Sequence, residues 1–253
     1  MGAQELKLPG EVKTLRFFSP LEMAIYKPEG NGPFPAVVLL HTCGGLSQHI
    51  RDWTKQALGR GYVVFVVDSF GPRGLKGCTP PTTSVERGTK DALDALAHLA
   101  KFDVVASRRV GLIGFSWGGD VALYEASQEM GTGSDPAGRC AASVALYPEC
   151  VTPKGREHLR SRVERPLLVL MGELDNETPA ADCVSRLDLK AQGAPVEWHV
   201  YPGTTHAWDK AENNGNTKQH VRGFVTYRYS SAAYEDSVRR AFDFLAARLH
   251  TGQ

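Results

Sequence analysis

The chain is poor in the features that mark several protein classes. No apolar run approaches the roughly 18 residues that a bilayer-spanning helix needs. Even the apolar stretches Ala36 to Leu40 and Val63 to Val67 are short. Charge of one sign is not in excess: 29 basic against 28 acidic residues give a formal net charge of +1. No broad field therefore favours nucleic acid or a membrane surface. The five cysteines, Cys43, Cys78, Cys140, Cys150 and Cys183, include no C-x-x-C pair, and no H-E-x-x-H occurs. These absences exclude the common zinc sites, and no metal is expected. No internal repeat or low-complexity segment is present. The first residues, MGAQELKLPGEVK, lack the apolar stretch of a signal peptide. The expectation is a cytoplasmic protein with reduced thiols. A signal peptide removed beforehand would instead place it in the periplasm or outside the cell.

What is present is an ordinary globular balance, with 42% hydrophobic and 23% charged residues among 253. That length suits one α/β domain over 1–253. Near the start, EVKTLRFFS and EMAIYKP flank Pro20 and Leu21 and predict an antiparallel β-hairpin. Next come two continuous apolar runs, PAVVLL (35–40) and YVVFVVD (62–68), the pattern of strands buried on both faces. Helical spacing follows each of them, over 52–61 and over 84–101. Ser84 is placed to cap the second helix, and Arg87 and Asp91 form an i,i+4 pair on it. The alternation continues with strands at RVGLIGF, AASVALY, RPLLVLMG and APVEWHVYP, and ends in a long amphipathic helix over 232–250. Strands alternating with helices predict a mostly parallel sheet covered on both faces. Residues 203–231, rich in Asn, Gly, Lys and His, read as a functional or mobile surface loop.

Ligands of open parallel sheets bind at the carboxyl ends of the strands. After RVGLIGF the chain reads Gly114-Phe115-Ser116-Trp117-Gly118, a G-x-S-x-G between strand and helix. The glycines suit a strained turn that holds Ser116 up as a nucleophile; a plain glycine turn is the bland alternative. A serine hydroxyl needs a base. Of eight histidines, His206 follows the strand VEWHVYP and lies after the serine in chain order. The acid is expected after RPLLVLM, in GELDNETP, where Asp175 is preferred over Glu173 and Glu177. Two backbone N–H groups should form an oxyanion hole: that of Trp117, following the serine, and that of Cys43 in the HTCGG loop.

In this order the segments LLHTCGG, VDSFGPRG, GFSWGG, MGELDNETP and YPGTTHAWD resemble the dienelactone hydrolase branch of the α/β-hydrolase fold. The resemblance runs from residue 39 to 209. It implies that fold, with an eight-stranded, mostly parallel sheet, an N-terminal antiparallel hairpin and helices on both faces. It also implies cofactor-free hydrolysis of an ester or lactone. Members of that branch use a cysteine nucleophile and a glutamate in the loop after the third strand; here Ser116 and Thr42 stand at those places. A serine has no need of that glutamate, so the pair of changes favours a serine esterase over a hydrolase of dienelactone itself. Arg73 falls where the family carries an arginine for the substrate carboxylate; its alternative is an ion pair with Asp68 or a bond to a loop carbonyl. Lys210, four residues past His206, is a second candidate anion contact. Cys150 and Cys183 flank strands expected to be neighbours and are candidates to pair, which would imply an oxidising compartment.

The expectation is a serine hydrolase of a small ester or lactone, working through an acyl-enzyme, with no cofactor, nucleic-acid or membrane partner. A peptidase or acyltransferase on the same residues, or a non-catalytic hydrolase-like binding protein, are the other readings. The oligomeric state is not readable from the sequence.

Overall fold

The computed structural model describes residues 5–15, 21–78, 83–127, 139–159, 162–190 and 194–249. Its frame is the pair of apolar runs seen in the sequence. β3 (Phe34–Leu40) and β4 (Val63–Val67) lie parallel, with Ala36 to Leu40 matched to Val63 to Val67. Every residue of those two matched stretches is buried, as a strand covered on both faces requires. β5 (Val105–Phe115), β6 (Ala142–Leu146), β7 (Leu167–Gly172) and β8 (Val196–Tyr201) extend the sheet on one side of β3, all parallel. β2 (Ala24–Tyr26) pairs antiparallel with β4 on the other side, and β1 (Val12–Lys13) forms the edge. The order is β1-β2-β4-β3-β5-β6-β7-β8, a sheet mostly parallel as the alternation predicted and eight-stranded as the resemblance implied.

Successive side chains point to opposite faces, so each strand serves two cores. Val38, Leu40, Phe65 and Val67 belong to one core, to which α2 (Val85–Leu99), α3 (Trp117–Ala126) and α4 (Ala180–Lys190) also contribute. Val37, Leu39, Val64 and Val66 pack with α1 (Gln48–Leu58) and α5 (Ser231–Leu249). Ser84 caps α2 as expected, its hydroxyl accepting the Arg87 N–H at 3.2 Å. No helix among the described residues is long and apolar enough to cross a membrane.

The N-terminal antiparallel hairpin is not what forms. β1 runs parallel to β2, pairing Val12 with Ile25 and Lys13 with Tyr26. β2 finds its antiparallel partner in the buried β4 instead. The connection between β1 and β2 is too long to force a tight turn, and part of it, 16–20, lies outside the described residues. The expected loop 203–231 also has structure of its own. β9 (Thr217–His220) and β10 (Gly223–Thr226) make a separate antiparallel hairpin.

Candidate active site

Ser116 leaves β5 with φ 52° and ψ −117°, a backbone strain that a non-glycine residue adopts only where its surroundings hold it there. The glycines around it are obligatory through close backbone approach. A Cβ on Gly114 would lie 1.9 Å from the Gly118 carbonyl oxygen, and one on Gly118 would lie 2.4 Å from that of Leu40. The turn therefore presses α3 against both β5 and β3, with the Ser116 side chain at its apex.

His206 and Asp175 arrive from the ends of β8 and β7. His206 Nε2 is 3.1 Å from Ser116 Oγ, and His206 Nδ1 is 2.7 Å from Asp175 Oδ2. All three residues are buried. Asp175 is held on its other oxygen, Oδ1, by the N–H groups of Glu177 and Thr178, each at 2.9 Å. The Thr178 hydroxyl, 2.8 Å from Asp175 Oδ2 and 3.1 Å from His206 Nδ1, closes the group. Burial opposes charge on the His206 imidazole. The nearby Asp175 and Glu177 carboxylates and the Asp175 hydrogen bond outweigh it, and the pKa is raised above the usual 6.5.

The loop bearing His206 is braced from beneath. Tyr147 donates its hydroxyl to Asp209 at 2.7 Å, and the Trp53 indole N–H donates to the other oxygen of Asp209 at 2.8 Å. The Tyr147 ring meets His206 edge-on at 4.8 Å.

The two expected oxyanion donors lie on neighbouring backbone. The Gly118 N–H donates to the His41 carbonyl at 3.2 Å, tying the start of α3 to the loop after β3. Among the described residues, neither the Trp117 nor the Cys43 amide is spent on a protein acceptor. His41 fixes the root of that loop, its Nδ1 donating to the Thr42 carbonyl at 2.7 Å and its Nε2 accepting the Ser69 N–H at 3.0 Å. Burial lowers its pKa, which suits this neutral tautomer. Thr42, at the place expected for the family glutamate, accepts the Gly44 N–H on its hydroxyl at 3.2 Å.

Ser116 and His206 open into a cavity of about 520 Å³. Its walls carry Lys76, Glu177, Lys210, Lys218, His220 and Tyr227. Three of these come from the β9–β10 hairpin or its root, in the segment 203–231 that the sequence marked as functional or mobile without singling out these residues. Glu177 lies 3.9 Å from His206 Nε2 and receives the Lys218 ammonium at 2.7 Å and the Tyr227 hydroxyl at 2.8 Å. Burial pushes its pKa up, but His206, Lys218 and Tyr227 prevail and bring it to about 2. Lys210 is different. It is buried, its Nζ reaches the Thr42 hydroxyl at 3.4 Å, and no carboxylate lies within ion-pair reach among the described residues. Burial lowers its pKa despite the more distant Glu212 and Asp209.

Arg73 is not on the cavity wall. Its guanidinium grips Asp91 on α2 with two bonds of 2.7 and 2.8 Å and also donates to the Ser69 carbonyl at 2.7 Å. Asp68, the alternative partner, caps the Phe70 and Gly71 amides. The expected carboxylate contact at Arg73 gives way because Asp91, a residue read only as the helix partner of Arg87, takes both arginines.

Four cysteines are cross-linked. Cys150 and Cys183 pair, as the sequence suggested. Cys43 also pairs with Cys78, which the sequence did not suggest. Cys140 is free and buried.

The model of the dienelactone hydrolase family matches residues 21–249. A "Putative carboxymethylenebutenolidase" of Escherichia coli is 26% identical over 198 residues, covering 72% of this chain and 70% of that protein. A "Probable 2-oxo-3-(5-oxofuran-2-ylidene)propanoate lactonase" of Bradyrhizobium is 26% identical over 237 residues, covering 88% and 82%. A solved "Putative Dienelactone Hydrolase" from Klebsiella pneumoniae shares the fold at TM-score 0.67 and 22% identity, over 86% of this chain and 89% of that one. An esterase of Thermogutta terrifontis shares it at TM-score 0.62 and 16% identity, over 88% and 86%. A family model that spans nearly the whole chain, on an α/β-hydrolase sheet, places this protein in the dienelactone hydrolase family as a carboxylic ester hydrolase.

Proposed function

We propose that the protein cleaves a small ester or lactone through a covalent acyl-serine. Ser116 Oγ attacks the acyl carbon while His206 Nε2 takes its proton. The imidazolium returns that proton to the leaving alcohol, and water then releases the acid by the same route reversed. Asp175 fixes the His206 tautomer and steadies its charge. The Cys43 and Trp117 amides hold the developing oxyanion. The observation that carries this reading is the unbroken chain from Ser116 Oγ to His206 at 3.1 Å and from His206 to Asp175 at 2.7 Å, built on the strained Ser116 backbone. The test is turnover of p-nitrophenyl acetate together with labelling by a fluorophosphonate probe. Wild-type protein labels and turns over; Ser116→Ala does neither. Equal turnover by the variant overturns the reading.

Recognition of a substrate carboxylate falls to Lys210 in this proposal, with Lys76 at the rim, since Arg73 is committed to Asp91. A panel of neutral and carboxylate-bearing esters and lactones tests it. Lys210→Met raises KM about tenfold for the charged members alone, the scale of one lost charge-assisted hydrogen bond. An equal effect on both sets removes Lys210 from this role.

The two disulfides support an oxidising compartment in place of the cytoplasm first expected. Thiol titration of the denatured protein then finds one reactive thiol, Cys140, and five would overturn it.

A further inference from the structure

The Cys43–Cys78 bridge covalently joins two loops that come from separate strands of the sheet. The first is the turn over Thr42–Gly45. Its own bonds are local, with the Gly45 N–H on the Thr42 carbonyl at 3.0 Å and the Gly44 N–H on the Thr42 hydroxyl at 3.2 Å. His41 fixes this turn only as far as the Thr42 carbonyl. Cys43, whose amide is the proposed oxyanion donor, is one residue beyond that anchor. The second loop follows the short 3₁₀ turn Gly71–Arg73 and carries Lys76, Gly77 and Cys78 to the cavity wall. Its root is firm, because Arg73 bonds both Asp91 on α2 and the Ser69 carbonyl. The two loops touch through backbone as well as sulfur. A Cβ on Gly77 would stand 2.7 Å from the Cys43 carbonyl oxygen, and the Cys43 and Cys78 Cα atoms are 5.0 Å apart.

We propose that the Cys43–Cys78 disulfide is a positioning element of the oxyanion hole, carrying the rigidity of the Arg73–Asp91 anchor across the cavity mouth to hold the Cys43 amide in its donating direction. Cys78 acts here through Cys43 and not on the substrate. The inference rests on the acyl-serine reading above, in which that amide faces the oxyanion. Loss of a whole donor costs about 100- to 1,000-fold in kcat, so a loosened donor is expected to cost about tenfold. Ground-state binding does not use the oxyanion geometry, so KM for a small neutral ester changes little.

The experiment compares Cys43→Ser, Cys78→Ser and the double variant with Cys183→Ser, which opens the other bridge. Each is assayed with p-nitrophenyl acetate at a temperature where it is fully folded, with a melting curve as control. The expected result is a kcat loss of about tenfold, equal in both single variants and the double, since all three break the same link. Cys183→Ser loses comparable thermal stability and keeps its kcat. Gly77→Ala, which leaves every sulfur in place but crowds the Cys43 carbonyl at a φ of +150°, lowers kcat as well. Treating wild type with a phosphine supplies two electrons to the S–S bond. Two protons from solvent complete the thiols, and the phosphine takes oxygen from water to become its oxide. Activity falls in step with the first two thiols released, and the Cys43→Ser/Cys78→Ser variant shows no such fall. The proposal is overturned if Cys78→Ser keeps wild-type kcat, or if Cys183→Ser loses as much. Ser116→Ala separates the two levels. If it is inactive while Cys78→Ser is fully active, only the clamp is wrong; if it remains active, the acyl-serine reading has failed beneath it.

Discussion

Two disulfides close loops of nearly equal length, 35 and 33 residues apart in sequence, yet they occupy opposite settings. Cys150 and Cys183 are buried among apolar side chains and tie the loop after β6 to the first turn of α4. Cys43 and Cys78 are part-exposed on the cavity wall, next to Ser116 and Lys210. In the chain-entropy account both restrict the unfolded chain alike. What separates them is what each holds still in the folded state: a helix already packed into the core, or a turn whose His41 anchor stops at the Thr42 carbonyl, one residue before Cys43.

The comparison is sharpened first by stability. For loops of this length the entropic term is about 4 kcal/mol each, so Cys78→Ser and Cys183→Ser should lose similar free energy in denaturant titration. A much larger loss for Cys183→Ser would mean that its buried packing dominates the loop term, and the two bridges would no longer be a matched pair.

A smaller effect is expected on the pH profile at the cavity mouth. Glu177 helps to raise the His206 pKa. In the proposed mechanism the base must be neutral to accept the serine proton, so activity falls as pH drops through that raised pKa. Glu177→Gln withdraws the carboxylate, lowers the pKa and moves the acid limb of kcat/KM to lower pH by up to about one unit. A shift in the other direction would contradict the assignment.

The smallest effect lies beside the buried bridge. Glu149 precedes Cys150, and burial chiefly lifts its pKa from 4.5 to about 7. A folded-state pKa above the unfolded one gives stability that is present at low pH and is lost as pH rises through the folded value. Glu149→Gln therefore raises Tm relative to wild type at pH 8 and loses that advantage at pH 4. An equal shift at both pH values would rule out this linkage.

Much of this was legible because apolar runs mark buried parallel strands, and the residues that follow them must meet at one edge of the sheet. That logic reached Ser116, Asp175 and His206, which the structure brings into hydrogen-bond contact. It failed where pairing is set by distance in space alone. Asp91 fits an i,i+4 helix partner for Arg87, and nothing local says that Arg73 also reaches it. β9 and β10 escaped notice because Thr217 to Gln219 and Phe224 face solvent, so no apolar alternation marks the strands. Thr178, which touches both Asp175 and His206, was hidden among small polar residues of an ordinary loop. The direction of β1 was not legible either, because its two residues carry no alternation and no tight turn joins them to β2.

Lys210 sets up a last consequence. Its buried ammonium has no carboxylate within ion-pair reach among the described residues, and it is desolvated at a cost that the folded protein carries. In the proposed role, an anion that pairs with Lys210 relieves it, and a ligand that binds only the folded state stabilises that state in proportion to the logarithm of its concentration. Hydrolysis of an ester liberates just such an anion. The protein would then be most resistant to heat when filled with its own product, and a melting curve taken against a series of simple carboxylic acids would sort the acids the site prefers before any substrate is known.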